Sequence, residues 1–421
     1  MTHQTTSDID PARLALTERG INWLAQFKPE DRDNAERLLR SLTLVSHSAF
    51  ERGLLPVIER RATVIEGPVA LFATREIDPT ISYFEQATNR EEPQKLGAIN
   101  AVGAGRDLGS EARIAALIRN QAKGSSDKFL NHPSIAEMRE AKVRAIFVLD
   151  DILGSGRRTA KFLQAMWQSS TIRSWHSLHL IRFEVIAYTA TTFGQATVQK
   201  SKGKPNVYIE RDCTVFTEMP WPKRIKTEII ELCREYGRKT SRRSMALGYK
   251  NTMGMVVFQH GCPNNAPAIL WAPETNRSLW QSLFPDRSVM SAEASAFPPE
   301  IAGRDPTLVL CEVGQRRLAV SGCLSRRGPL GDTILLIIAL AARGVRRRSA
   351  LGYATGLSAQ DCDRVLARCV RWGFLTLTYR LTSAGKAELD YARKLTASVN
   401  KVPPIGDEVY YPGQLRGPRG G

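Results

Sequence analysis

The fold is decided by the stretch Ala145-Ile146-Phe147-Val148-Leu149-Asp150-Asp151-Ile152-Leu153-Gly154-Ser155-Gly156-Arg157-Arg158-Thr159. Its first five residues are apolar, which is typical of a strand buried on both faces of a parallel sheet. Two acids end this strand, a small Gly-rich turn follows them, and residues 160–167 are typical of a helix. This order predicts an open α/β sheet, and such sheets bind ligands at the carboxyl ends of their strands.

The turn after the acids is suited to hold a phosphate. Residues 154–159 open a helix, so their backbone N–H groups and the helix dipole favour an anion. Asp150 and Asp151 stand beside this turn, and a sugar phosphate is the ligand that would use both features. Its hydroxyls and a bound metal would contact the acids, and its phosphate would bind the turn. The alternatives are an α/β turn that binds no nucleotide and an acid pair that binds only a metal.

Over residues 146–158 the chain resembles the phosphoribosyltransferases, whose motif has four apolar residues, two acids, two apolar residues and a hydroxyl-rich turn. It departs from the motif at Gly154, where Thr is usual, and at Arg158, where Thr or Ser is common. The resemblance implies a type I phosphoribosyltransferase core with a parallel sheet. It also implies that Asp150 and Asp151 hold the ribose hydroxyls with Mg²⁺. The ligand's 5′-phosphate would then bind Gly154, Ser155, Gly156, Arg157, Arg158 and Thr159.

Two more anion positions are expected near this motif. Residues 69–73 form a buried strand that ends before Arg75, and in phosphoribosyltransferases the loop after an early core strand receives the pyrophosphate. Ser110 is placed to cap the helix at residues 112–119, whose N-terminus would offer a second anion site. The alternatives are a surface or salt-bridging arginine and a capped structural helix.

A second motif follows the strand at residues 255–258. There His260-Gly261-Cys262-Pro263-Asn264-Asn265-Ala266-Pro267 leads into an apolar segment that ends at Trp271. Together with the acid-pair motif, this block resembles a subgroup of phosphoribosyltransferase-like proteins from bacterial conflict and anti-phage systems, over residues 15–290. The resemblance implies that Asn264 and Asn265 border the active site and hold a base or sugar. The alternative is that both are turn formers.

The pattern changes after residue 330, where three helices, a short hairpin and a final helix resemble a winged helix-turn-helix. Residues 326–394 carry thirteen basic and five acidic side chains, a net charge of +8, which fits contacts to nucleic-acid phosphates. The third helix is the expected recognition helix. The expected nucleic-acid contacts are Arg346, Arg347, Arg348, Arg364, Arg368 and Arg371, with Arg380 in the hairpin. A protein-binding winged helix is the alternative.

These patterns divide the chain into five parts. We expect a helical N-terminal cap at 1–60, the phosphoribosyltransferase-like domain at 61–290, and a linker at 291–329 with a peripheral strand pair at 307–313 and 317–321. The winged helix-turn-helix follows at 330–396 and an extended tail at 397–421.

Charge and cysteine content further restrict the class of protein. The net charge of the 421 residues is +17, which suggests a polyanionic partner such as nucleic acid. The seven cysteines form no Cys-x-x-Cys pair, so neither a zinc site nor a disulfide framework is indicated. The N-terminus has no signal-peptide pattern and the longest apolar run is far too short to span a bilayer. We expect a cytoplasmic, soluble protein with no membrane partner, and oligomers are compatible with it.

The whole arrangement resembles the effector of a bacterial retron. This resemblance implies a toxic domain that binds a ribose phosphate or nucleotide, restrained by a reverse transcriptase and its small hybrid RNA–DNA (msDNA) through the basic winged helix. Its chemistry would be phosphoribosyl transfer or cleavage of a nucleotide N-glycosidic bond. The alternative is a transcriptional regulator that senses a nucleotide on the same fold without catalysis.

Overall fold

The structure is a computed structural model that describes residues 13–86, 110–274, 279–301, 304–319, 324 and 328–399. Most of the predicted extended tail, residues 400–421, lies outside this range. None of the helices within the range combines the length and apolar content needed to cross a lipid bilayer.

A five-stranded parallel sheet forms the centre of the protein. The strands of the described residues are β1 (Thr43–Val45), β2 (Val69–Ala73), β3 (Phe129–Asn131), β4 (Ala145–Leu153), β5 (Arg182–Ala190), β6 (Asn206–Asp212) and β7 (Val256–Phe258). The main sheet has the order β3-β2-β4-β5-β6, and all of its neighbouring pairs are parallel. The predicted α/β class is confirmed, with β4 in the middle as its apolar sequence requires.

Helices pack on both faces of this sheet and also form a separate core beside it. They are α1 (Arg13–Leu16), α2 (Glu18–Ala25), α3 (Arg32–Arg40), α4 (His47–Thr63), α5 (Tyr83–Gln86), α6 (Ser110–Gly124), α7 (Ile135–Glu140), α8 (Arg157–Trp167), α9 (Ser170–Ser177), α10 (Thr192–Gln199), α11 (Lys223–Gly237) and α12 (Ala268–Trp271). Phe147 and Leu149 of β4 point into a core shared with α4 and α6. Ile146 and Val148, which alternate with them, point into the opposite core with α8 and α9. This alternation is the period of two that a strand imposes.

The N-terminal helices α1 to α3 belong to a separate apolar core. Trp23 and Phe27 meet Trp280 edge to face, with ring centroids 6.2 Å and 5.4 Å away. The indole N–H groups of Trp23 and Trp280 both donate to the carbonyl of Ile269. Thus residues from both ends of the phosphoribosyltransferase-like region close this core. The predicted domain boundary at residue 60 falls inside α4. This helix packs on the main sheet and not on the core of α1 to α3.

A second, two-stranded parallel sheet pairs β1 with β7. Strand β1 was not predicted from the sequence. Thr43, Leu44 and Val45 pair with Val256, Val257 and Phe258. Three residues between two helices carry too little periodicity to show a strand. The pairing places the loop after β7 beside the N-terminal end of α4, where Gln259 bonds to the N–H of His47.

The C-terminal domain has the predicted winged helix-turn-helix arrangement. Its helices are α16 (Gly328–Ala342), α17 (Arg348–Thr355), α18 (Ala359–Arg371) and α19 (Ser383–Val399), preceded by the short helices α13 (Ser291–Ala294), α14 (Pro306–Glu312) and α15 (Arg316–Ala319). The hairpin is held by an antiparallel bridge between Leu375 and Leu381. Ser358 caps α18 as expected, its side chain accepting from the N–H of Asp361.

The predicted strand pair at 307–313 and 317–321 is wrong over the described residues, where α14 and α15 lie instead. The apolar run Thr307 to Val313 favoured a strand, but Asp305 caps a helix and Pro306 begins it. This Asp-Pro start signal was available in the sequence. Val309 and Leu318 enter the core of the winged helix. That domain therefore includes helices from the predicted linker.

Candidate functional site

The acid-pair motif forms a strand, a tight turn and a helix, with one shift from expectation. Asp150 and Asp151 lie within β4, which continues to Leu153, whereas the sequence placed them at the strand's end. Gly156 ends the turn with φ +70°, and a Cβ built there would lie 2.4 Å from the carbonyl oxygen of Gly194. Only glycine fits this backbone and this close approach. The turn is thereby fixed against α10, and α8 begins at the next residue.

The two acids are buried and share one cation. Asp150 is 1% exposed and Asp151 6% exposed. Nη2 of Arg158 donates to Oδ1 of both, at 3.0 Å for Asp151. Thr159 Oγ1 donates to the other oxygen of Asp150 at 2.7 Å, and Nε2 of His260 lies 3.3 Å from the other oxygen of Asp151. All four carboxylate oxygens thus have a protein partner.

The environment separates the pKa values of the two acids. Burial raises the pKa of Asp150, and the charge of Arg158 opposes that rise only in part. Burial also acts to raise the pKa of Asp151, but the hydrogen bond with His260 and the charge of Arg158 outweigh it, so this pKa is lowered. Asp151 is therefore the carboxylate that stays ionised most readily, and Arg158 is its counter-ion.

The residues present do not fit a magnesium ion bound directly to the acids. Mg²⁺ needs carboxylate oxygens that are free to coordinate it, and those of Asp150 and Asp151 already accept from Arg158, Thr159 and His260. In the part of the chain that the structure describes, no three His, Cys, Asp or Glu side chains are grouped to hold a metal. The Arg158 guanidinium supplies the positive charge that the sequence led us to expect from Mg²⁺.

The predicted second anion residues follow β2 and begin α6. Arg75 follows β2, the neighbour of β4, and its guanidinium lies 4.9 Å from the centre of the Tyr83 ring. Burial raises the pKa of Glu111, and the charges of Arg75 and Arg158 oppose that rise. The charges of both arginines therefore act on the Glu111 carboxyl. Ser110 is the first residue of α6 rather than the residue before it, next to Glu111.

The Pro-Asn-Asn loop also reaches the site. The side chain of Asn265 is buried and packs on the turn, because a Cβ at Gly154 would lie 3.8 Å from its Nδ2. Its Oδ1 is buried and has no hydrogen-bond partner among the described residues. Asn264 is exposed and its carbonyl accepts from the N–H of Tyr249. The Tyr249 hydroxyl in turn accepts from Arg157 at 2.9 Å. The Asn265 side chain thus borders the turn at residues 154–156, and Asn264 is linked to Arg157 through Tyr249.

His260, for which the sequence indicated no role, lies at the acid pair. Its ring stacks on Phe258 with centroids 4.9 Å apart. Its Nε2 faces Asp151, while its Nδ1 is buried without a hydrogen-bond partner in the described residues. The signal was a histidine two residues after a strand. That strand, β7, lies outside the main sheet, so its position could not be inferred.

Two of the arginines predicted to contact nucleic acid have partners on the α/β domain. Arg348 forms two hydrogen bonds with Asp212 at the end of β6, of 2.7 Å and 2.8 Å. Arg347 forms an ion pair with Glu218. Arg346 is exposed. These contacts join the winged helix to the edge strand of the main sheet, and the role of the three arginines toward nucleic acid stays a prediction.

The remaining predicted contacts lie on exposed positions of the winged helix. Arg364, Arg368 and Arg371 are exposed on α18, and Arg380 is exposed in the hairpin. Arg364 pairs with Asp361 one turn earlier at 3.2 Å. The arrangement leaves α18 and the hairpin available to a partner, and their nucleic-acid role also stays a prediction.

The sheet order, the acid pair and the Gly-Ser-Gly turn define a phosphoribosyltransferase-like α/β domain. The chain belongs to the PRTase-CE family, whose sequence profile matches residues 21–285. A second profile, described as wHTH-PRTase associated, matches residues 335–417. The protein therefore joins a phosphoribosyltransferase-like domain to an associated winged helix-turn-helix. Neither a curated protein nor a solved structure matches the chain.

Proposed function

We propose that the protein binds a ribose-phosphate or nucleotide ligand at the acid pair and acts on its C1′ position. This proposal rests on one observation: Asp150–Asp151, the Gly156 turn and the buried Asn265 side chain meet at the carboxyl end of β4. The first turn of α8 has backbone N–H groups without intrahelical partners, which suit the 5′-phosphate.

The charges of the site suit this ligand. Nη2 of Arg158 is fixed by both acids, so its guanidinium presents a positioned positive charge to the pyrophosphate or leaving group. Arg75 follows β2, the strand next to β4, and its charge acts on Glu111 together with that of Arg158. Reaction at C1′ passes through a cation-like sugar, so the ionised Asp151 would stabilise developing positive charge. The chemistry is phosphoribosyl transfer or cleavage of a nucleotide N-glycosidic bond.

The enzyme test replaces one acid at a time. Asp150→Asn and Asp151→Asn are assayed for turnover of phosphoribosyl pyrophosphate and of nucleotides, with Asp33→Asn as a control on the exposed side of α3. We expect the site variants to lose at least about a hundredfold in kcat/KM, since one positioned charge is worth that much, and the control to keep full activity. Unchanged turnover in both site variants would overturn the catalytic assignment.

For the biological role, we propose the effector of an anti-phage retron, a toxin restrained by a reverse transcriptase and msDNA through the winged helix. The basic charge of that domain supports the nucleic-acid partner. The test expresses the protein with its genomic neighbours and purifies it. Co-purified nucleic acid and a second protein support the proposal. A preparation free of both would contradict it.

A regulator that senses a nucleotide is the second candidate, and one observation favours it. Arg158 stands where transferases carry a hydroxyl, and it satisfies both acids without a ligand. A protein that binds nucleotide, forms no product, and changes its affinity for DNA when the nucleotide binds would favour this reading.

A further inference from the structure

A large basic cleft lies between the α/β domain and the winged helix, away from the acid pair. Its volume is about 1130 Å³, and it is lined by residues before and within α11, by the segment from α14 to α15, and by the residues between α16 and α17. Seven lining side chains are basic and two are acidic. Pockets for small molecules usually measure about 300–1000 Å³, so this cleft is large for such a ligand.

Both acids of the cleft are already neutralised. Glu218 forms an ion pair with Arg347 and accepts from the Ser349 hydroxyl. Glu312 lies 3.5 Å from a guanidinium nitrogen of Arg304, which is itself mostly buried. The positive charge of the remaining basic side chains is therefore uncompensated by the lining acids.

Three of those side chains are directed toward solvent and have no ion pair among the described residues. Arg316 and Arg317 are consecutive residues at the start of α15, and Arg346 precedes α17. They come from separate segments and line the same space. Lys226 borders it as well, and burial lowers the pKa of its ammonium group. A negatively charged ligand would relieve this accumulation of charge.

The lining favours a phosphate backbone over stacked bases. Its one aromatic residue among the described ones, Trp221, is 7% exposed and so offers no platform for a base. Grooves that follow a nucleic-acid strand by charge alone bind without sequence preference and with strong salt dependence. A flexible single strand can follow a cleft between two domains, whereas a duplex is stiff, with a persistence length of about 50 nm, and cannot bend into it.

We propose that this cleft binds the phosphate backbone of single-stranded nucleic acid, with Arg316, Arg317 and Arg346 contacting successive phosphates. The inference rests on the proposed function only in taking nucleic acid as the partner. The site is separate from the recognition helix, because Arg364, Arg368 and Arg371 do not line the cleft. A strand held here would touch both domains at once.

The test uses the full chain and a fluorescent oligo-dT single strand, with anisotropy measured from 50 to 300 mM salt. The cleft variant is Arg316→Gln/Arg317→Gln. Its matched control removes the same charge from two exposed lysines after α10 that do not line the cleft, Lys200→Gln/Lys202→Gln. Because each lost phosphate contact lowers the salt slope for single strands by about 0.7, we expect the cleft variant to lose about 1.4 from the slope. Its affinity should fall on the order of tenfold at 0.1 M salt, and the control should keep its slope.

Thermal melting first establishes that both variants are folded. Each binding outcome then supports or overturns the proposed cleft. An unchanged slope in the cleft variant, or an equal loss in the control, would overturn the cleft and leave the proposed function standing. Absence of single-strand binding by the wild-type protein would overturn the cleft. Absence of duplex binding as well would also count against nucleic acid in the proposed function. If melting shows the double variant unfolded, Arg346→Gln takes its place with an expected slope change of about 0.7.

Discussion

Nη2 of Arg158 lies 3.0 Å from Oδ1 of Asp151, although the family motif has a small hydroxyl residue at position 158. The same nitrogen donates to Asp150, so one guanidinium bridges two carboxylates that would otherwise repel each other. A buried carboxylate pair needs a counter-ion. Here the chain itself supplies it, whereas the resemblance to phosphoribosyltransferases implied a magnesium ion.

We therefore predict that binding of ribose 5-phosphate does not depend on magnesium. In isothermal titration calorimetry, the wild-type affinity should change less than about twofold when EDTA replaces Mg²⁺, because Arg158 already occupies the acids. Arg158→Thr, which restores the common residue, should bind only when Mg²⁺ is present. A wild-type affinity that falls tenfold or more in EDTA would contradict this prediction.

Two glycines of the turn between β4 and α8, Gly154 and Gly156, should respond differently to alanine. Gly156→Ala should destabilise the protein by about 2 kcal/mol or more, because its φ of +70° and its contact with Gly194 both exclude a side chain. Gly154→Ala should cost little, since its Cβ would meet Asn265 at 3.8 Å, an ordinary contact distance. Urea unfolding of the two variants measures the difference. Equal losses of stability would show that the turn is not held as described.

His132 should make stability depend on pH. Its Nε2 accepts from the N–H of Ala73 and its Nδ1 bonds to Asn131 Oδ1, so it is neutral. Burial, with the charge of Arg75, lowers its pKa from 6.5 to about 4. The folded state therefore binds fewer protons than the unfolded state, and stability falls as pH drops from 6.5 toward 4.

From pH 7 to pH 5 this single group should account for a loss of about 2 kcal/mol in the free energy of unfolding. His132→Gln should remove that part of the pH dependence while lowering stability at pH 7. Urea unfolding at both pH values measures it, and His179→Gln, at an exposed position, is the control. A variant with the same pH dependence as the wild type would show that His132 titrates normally.

The parts of the fold that were predictable from sequence are those with local signals. The run Ala145–Leu149 showed the central strand because its burial leaves it uniformly apolar, and Ser358 showed the start of α18 because capping is local. Strand β1 has three residues and exists through its pairing with β7, so its signal is tertiary. The strand predicted at 307–313 shows that an apolar run does not distinguish strand from helix without its cap.

The candidate site also contains some parts with local sequence signals and others that depend on tertiary packing. The acid pair and the turn are consecutive in the chain, so the motif alone predicted the strand, turn and helix that carry them. His260 and Arg158 required the structure. His260 reaches Asp151 only because β7 pairs outside the main sheet, and the side chain of Arg158 folds back over the acids from the first turn of α8. Side-chain direction of this kind depends on the final packing, which no local pattern records.

The contact between Arg348 and Asp212 should couple the two domains. Both of its hydrogen bonds are short and parallel, which is the geometry in which a guanidinium binds a carboxylate most strongly. The two side chains are about a third and a fifth exposed, so we expect a coupling free energy of about 1 kcal/mol. A double-mutant cycle with Arg348→Ala and Asp212→Ala, followed by urea unfolding, measures it.

Arg364→Ala with Asp361→Ala is the matched control, because that ion pair lies within one exposed helix and joins no domains. Its coupling should be within about 0.5 kcal/mol of zero. Limited proteolysis gives a second measurement: Arg348→Ala should increase cleavage between residues 286 and 306, since the winged helix would then separate more often from β6. Equal coupling in the two cycles, with unchanged cleavage, would show that the Arg348 contact does not hold the domains together.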